Sequence, residues 1–511
     1  MEYIRKNILL IVVFLTGAAV LVIEVVAVRV LSPYFGNTIF TVSSVLSVIL
    51  AALSLGYYVG GKLADQHPSL KWFFGIILTS GLSVLILHVL TLLILPFLGF
   101  ALSITSGPLI SALILFFIPG FLLGTLSPFV IKLQKTLLPE EGIGSVSGKV
   151  FFWSTLGSIC GSLLTGFVLI PNFGINQIIL VTGIFLTFLG LLPLIYLRTS
   201  RKKVGRISAL VIVVLALALS FARVPNEEVL FSEEGVYERM TVYDGTYNGR
   251  PARFFQQDRS NSGGMYLDSE ELMYEYSKYY VAYKVFKPDI ENTLVIGGGA
   301  YSIPKALLKE SPDVKVDVAE IEPSLFELSK KYFQVPDDPR LVNYVVDGRR
   351  LLHDSNKEYD LIFSDVYYSL FSIPTHFTTK EFFETAKSKM SPGGVFMANM
   401  IGDLSQDEVS LIMSEIKTFR TIFPNSYFFA VRSPDSLETQ NNIFIGYNSD
   451  RKVDLASYEI RNHKDEAIRT LNQQAIDIEG LDFSKHIVLT DNFAPVEHLT
   501  SKILKKGLPG K

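Results

Sequence analysis

The stretch Thr293-Leu-Val-Ile-Gly-Gly-Gly-Ala-Tyr-Ser-Ile-Pro304 reads as a strand that breaks into a glycine turn and resumes as a helix. The apolar run gives the strand. Gly297, Gly298 and Gly299 give the turn, and Pro304 stands in the first helical turn, where proline is tolerated. Such a turn lets the backbone approach a ligand closely. Working outward, 314–320 reads as a second strand and 323–332 as a second helix. A third strand, 341–346, ends at Asp347, and a fourth, 360–364, ends at Asp365. A helix near 380–389 precedes a fifth strand, 394–399. Alternation of this kind predicts a largely parallel, doubly wound α/β Rossmann-like domain over 291–511. Ligands of such sheets bind beyond the carboxyl ends of the strands. Glu320, Asp347 and Asp365 all fall there.

Residues 224–290 read as an antiparallel β-hairpin region followed by a tyrosine-rich helix, 270–286. Asn248-Gly249 lies between two β-like runs, and that dipeptide favours a type I′ turn because both central residues need positive φ.

The other half of the chain has a different solvent. Nearly all long apolar runs precede residue 223 and nearly all charges follow it, although the average is 49% hydrophobic with a net charge of −3. Seven stretches, 8–31, 39–61, 72–95, 108–133, 150–170, 176–197 and 207–222, approach the length of about 20 residues that a bilayer requires. The expectation is a multi-pass α-helical membrane domain over 1–223. Glycines at four-residue spacing (Gly56 and Gly60, Gly120 and Gly124, Gly157 and Gly161) suit close helix packing. Glu24, Arg29 and His88 are polar residues inside apolar runs, which suggests helix-to-helix bonds or a polar site.

Lysines and arginines gather in alternate loops: before the first stretch, around 62–71, around 132–149 and at 198–206. That pattern places the N-terminus in the cytoplasm of a cell-membrane protein. Seven crossings would bring the soluble domain out on the opposite side. The near-neutral charge gives no support for nucleic-acid binding. One cysteine, Cys160, excludes an internal disulfide or a cysteine-based metal site, and no metal is expected.

At the strand ends the chemistry is that of a nucleoside. Glu320, about 20 residues past the glycine turn, can accept from both ribose hydroxyls, and Asp347 from an adenine amino group. Asp365 can orient an amine and take its proton, beneath the long loop that follows it. The missing last glycine of the dinucleotide fingerprint disfavours a dehydrogenase.

These stretches resemble the spermidine synthase (polyamine aminopropyltransferase) family, in particular its membrane-fused branch. The resemblance is carried by Val295–Pro304, Ala319-Glu-Ile-Glu-Pro323, Asp337-Asp-Pro-Arg340, Asp347-Gly348, Tyr359–Asp365, 372–383, Glu24–Gly36 and Thr490-Asp-Asn-Phe-Ala-Pro-Val-Glu497. It implies transfer of an aminopropyl group from decarboxylated S-adenosylmethionine to an amine or polyamine, in a bilayer-embedded protein; a homo-oligomer is left open. By that likeness Gly297, Gly298, Gly299, Glu320, Asp347 and Gly348 would hold the nucleoside, and Asp365 would be catalytic. Tyr274, Tyr367, His376 and Asp491 would line the acceptor site.

The sequence also departs from the pattern. Ala300 and Tyr368 stand where soluble synthases carry aspartates that hold the two ammonium groups. Tyr274-Glu275-Tyr276 replaces their Tyr-His-Glu, and their glutamine has no clear counterpart near Asn261 and Ser262. Asp491 or Glu275 would have to supply replacement charge. Ala300 therefore leaves open an S-adenosylmethionine-dependent methyltransferase. The membrane half, in which Gly56–Asp65 is similar to a major-facilitator loop, leaves open a sensing transporter without turnover.

Overall fold

The computed structural model describes residues 2–197, 214, 229–366, 374–406 and 408–505. The seventh apolar stretch, 207–222, lies outside them except for Val214, as does Tyr367. The chain divides into two units, Met1–Asn226 and Glu227–Lys511.

In the first unit, six helices among the described residues are long and apolar enough to cross a membrane. They are Asn7–Phe35, Ile39–Gln66, Leu70–Leu93, Gly107–Leu137, Ile143–Asn172 and Ile175–Tyr196. Most outrun the predicted stretches, because the apolar pattern marks the apolar middle of a helix and not its polar ends. The fourth breaks at Thr125 into two helices, Gly107–Gly124 and Leu126–Leu137. The fifth carries a π-turn at Thr165–Leu169.

The glycines make the seams. A Cβ on Gly157 would strike the Phe14 carbonyl, and one on Gly161 the Ala18 carbonyl. The first and fifth spans therefore run parallel in backbone contact, and the Ser158 hydroxyl donates to the Gly17 carbonyl at 3.0 Å. Gly56 faces Phe121, Gly60 faces Thr125, and Gly124 faces Leu53, so the second and fourth spans also run parallel. Gly81 faces Thr187 and Gly190 faces Leu78, which makes the third and sixth antiparallel. That last seam lacks the four-residue spacing and was not evident in the sequence. Lys132 pairs with Asp65 at 2.7 Å where the second and fourth spans end together. His88 is buried within the bundle, and Glu24 and Arg29 are half-buried.

In the second unit, β1 (Val229–Glu234), β2 (Arg239–Tyr247), β3 (Arg250–Gln257) and β4 (Ser260–Tyr266) form an antiparallel meander. Asn248 and Gly249 both take positive φ, 50° and 77°, and join β2 to β3 as the sequence required. The helix expected from residue 270 begins at Glu275 and continues to Phe286 as three short turns, Glu275–Lys278, Tyr279–Ala282 and Tyr283–Phe286. Its aromatic side chains are large and clustered, and packing overrides the single-helix pattern.

The main sheet contains β5 (Asn292–Ile296), β6 (Lys315–Glu320), β7 (Leu341–Val345), β8 (Tyr359–Ser364) and β9 (Met390–Gly402). They lie in the order β7-β6-β5-β8-β9, all parallel. Two further strands, β10 (Ser426–Ala430) and β11 (Gln440–Tyr447), extend it past β9 as β9-β11-β10, antiparallel. The sheet is buried on both faces, as a parallel sheet requires. Leu294, Ile296, Ile362 and Phe396 pack one way, against Phe382, Phe383 and Phe419. Val295, Leu361, Phe363 and Met397 pack the other way, in one core with Met240, Val242 and Phe255 of the meander. The hairpin region and the Rossmann-like domain, separated at residue 290 in the sequence reading, thus share a core and a unit.

Candidate active site

The strand order sets four features side by side. Asp365 follows β8, the glycine turn follows β5, Glu320 ends β6 and Asp347 follows β7. Backbone bonds tie these ends together. The Asp365 N–H donates to the Ile296 carbonyl at 2.9 Å, and the Val346 N–H to the Glu320 carbonyl at 3.2 Å.

Positive φ at Gly297, Gly299 and Tyr301 (94°, 52° and 54°) bends the turn tightly. A Cβ on Gly297 would strike the Asp365 carbonyl, so only glycine lets the turn touch the neighbouring strand. The buried Glu320 carboxylate braces it, accepting from the Gly298 and Glu322 N–H groups at 2.8 Å each. Burial pushes the Glu320 carboxyl up, and the backbone donors oppose that. Each of its oxygens retains a second lone pair for a ligand hydroxyl.

Asp347 caps the helix Gly348–Asp354, accepting from the Arg350 N–H at 3.0 Å. Its other oxygen meets His376 Nε2 at 2.8 Å. Burial opposes its ionisation, but the His376 and Arg350 contacts outweigh burial and hold the carboxyl below the usual aspartate range. Gly348 is forced by packing: a Cβ there would strike the Ile296 side chain.

Asp365 is held from both sides. The Tyr276 hydroxyl donates to Oδ2 and the Asn399 amide to Oδ1, each at 3.0 Å. Asn399 Oδ1 in turn accepts from Asn441 Nδ2 at 2.9 Å. Burial pushes the Asp365 carboxyl up, against those two donors. The Tyr274 ring stacks on Tyr276 at 6.1 Å and meets Tyr247 edge-on at 5.5 Å. The Tyr274 hydroxyl is buried without a hydrogen-bond partner among the described residues.

The two carboxylates expected to supply replacement charge are already matched. Asp491 takes two bonds from the Arg349 guanidinium, at 2.7 and 2.5 Å, and a third from the Thr379 hydroxyl at 2.8 Å. Glu275 pairs with Lys278 at 2.8 Å. Asp491 thus lies with Asp347 and His376 through Arg349, and its charge is neutralised there. Ala300 is buried, and Gly263 of β4 packs directly on it.

Tyr276, Asn399, Asn441 and Arg349 had not been singled out as site residues. Asn399 ends the fifth strand as the sequence draws it, although β9 itself continues to Gly402. Asn441 lies on a strand with no glycine or acidic terminus to flag it.

A Rossmann-like sheet with a glycine turn and successive carboxylates at its strand ends defines an α/β domain of the class that takes ligands beyond its strand ends. Residues 281–456 match the spermine/spermidine synthase domain family. The polyamine aminopropyltransferase of Vibrio vulnificus is 26% identical over 46% of this chain and 79% of its own length. Polyamine aminopropyltransferase 1 of Streptomyces coelicolor is 23% identical over 77% of this chain and 75% of its own. That span exceeds the whole of Glu227–Lys511, so the similarity reaches into the helical unit. Among solved structures, a probable spermidine synthase from Corynebacterium glutamicum aligns with 48% of this chain and 89% of its own, at 22% identity and a TM-score of 0.41.

Proposed function

We propose that this protein is a membrane-bound aminopropyltransferase that takes decarboxylated S-adenosylmethionine as donor and an amine as acceptor. The observation that carries it is the half-buried Asp365, held by Tyr276 and Asn399 one strand from the glycine turn. Glu320 would hold the ribose, Asp347 the adenine edge, and Gly297, Gly298, Gly299 and Gly348 would leave room for the nucleoside.

An uncharged amine attacks the carbon beside the sulfonium. A C–N bond forms, the C–S bond breaks, and methylthioadenosine leaves with the electron pair. The amine's proton passes to Asp365, whose raised affinity for protons suits a base that must also release one. Tyr274, Tyr367 and His376 would contact the acceptor. The alternative, methyl transfer, draws on Ala300, which leaves the turn without an anchor for a donor ammonium.

The full-length protein in detergent, given both sulfonium donors and a panel of short amines, tests this. Methylthioadenosine is the expected product, and S-adenosylhomocysteine alone would replace this reading with the alternative. Nucleoside binding without any product would favour the transporter-linked sensor.

The six long helices would anchor the enzyme in the cell membrane with a cytoplasmic N-terminus. If 207–222 crosses as a seventh span, the soluble unit lies outside; if not, it lies in the cytoplasm with its donor. Protease accessibility in sealed cells distinguishes the two.

A further inference from the structure

Arg349 stands two residues past Asp347 and touches neither the glycine turn nor Asp365. Its side chain is nonetheless only 23% exposed, with both terminal nitrogens engaged. It grips Asp491 with two parallel bonds and donates to the His376 carbonyl at 3.2 Å and the Thr379 hydroxyl at 3.5 Å. Thr379 caps the helix Lys380–Ser388 and donates to Asp491 at 2.8 Å, and the Asp491 N–H donates to Glu381 at 3.0 Å. Three pieces of chain meet in this clasp: the start of the helix Gly348–Asp354, the turn Thr375–Phe377 and the Thr490–Phe493 bridge. The loop closes on itself, because His376 Nε2 returns to Asp347.

The chemistry of the clasp is specific. A bidentate guanidinium–carboxylate pair fixes direction as well as distance, which a lysine cannot do. An isolated ion pair this near the surface would contribute little. Four acceptors on one guanidinium, with shared partners, form a network in which each bond orients the next.

We propose that Arg349 is a positioning residue for the nucleoside site: by clasping Asp491 and the His376 carbonyl, it fixes the imidazole that sets the Asp347 carboxylate. This rests on the nucleoside-site reading above. It gives the segment around Asp491 a task other than amine recognition, namely holding the turn that carries His376.

The test is calorimetric binding of methylthioadenosine to the full-length protein, with melting temperature and steady-state kinetics alongside. R349Q raises Kd and donor KM roughly tenfold, the scale of losing charged hydrogen bonds, while kcat holds. D491N acts in the same direction and serves if R349Q does not fold. H376F also weakens binding, and R349Q added to H376F costs nothing further, because the arginine acts through the imidazole. Additive losses, an unchanged Kd in R349Q and D491N, or a drop in melting temperature and kcat with Kd unmoved each overturn the inference. A wild-type protein that binds no adenosyl nucleoside removes the nucleoside-site reading and this inference with it.

Discussion

Asp365, half-buried, and Glu415, fully buried, are carboxylates with opposite surroundings. Asp365 has two donors, whereas neither oxygen of Glu415 has a hydrogen-bond partner among the described residues. Burial raises both. A carboxyl whose folded value lies above its unfolded one favours folding while protonated, below about pH 4, and that contribution is lost as pH rises through the folded value. D365N should therefore be more stable than wild type at neutral pH, with the gap closing in acid. Its kcat should fall by about two to four orders of magnitude while methylthioadenosine still binds. For the wild type, the acid limb of kcat should lie above the range of an ordinary aspartate. An Asp365 that titrated like a surface carboxylate would contradict this.

Glu415 lies in the helix Leu411–Ile422 away from the strand-end carboxylates, so E415M should keep activity. Filling the site with an apolar side chain should stabilise the soluble unit by about 1–3 kcal/mol, the cost of an unmatched buried polar group. A lower melting temperature in E415M would show that the carboxyl has a partner. At this scale the sequence was legible in placement, as Glu320, Asp347 and Asp365 stand at the strand ends where the pattern put them. It was silent where role depends on a partner distant along the chain. Asp491 looks like a spare charge until Arg349, 142 residues away, is found to hold it.

At the level of elements, periodicity and turn chemistry carried most of the information. The five parallel strands and the Asn248-Gly249 hairpin were legible because apolar runs, glycines and acidic termini coincide. β10 and β11 were not, since nothing in 426–447 marks where an antiparallel return begins. The tyrosine-rich segment misled in its start and its continuity because its rings pack tertiary neighbours. In the bundle, Gly157 is the sharpest case, as its missing side chain lets the fifth span lie on the Phe14 carbonyl. G157L should separate the two spans and lower the temperature at which the detergent-solubilised protein aggregates. G148L, where a Cβ would meet nothing, should not. Equal melting of the two variants would deny the seam its importance.

For the whole molecule, the two solvents were plain from the distribution of charge, and the order in which the helices pair was not. First joins fifth, second joins fourth and third joins sixth. Each seam therefore unites one of the first three spans with one of the last three. A gene cut between Leu102 and Gly107 would yield two polypeptides, neither containing any of these seams. Expressed separately, each should be degraded; expressed together, they should dock through all three seams and co-purify through a tag on either one. The leading three helices find all three of these seams only in helices that begin at Gly107 or later. The bundle is thus a two-part joint, whole only once its second half has been threaded in.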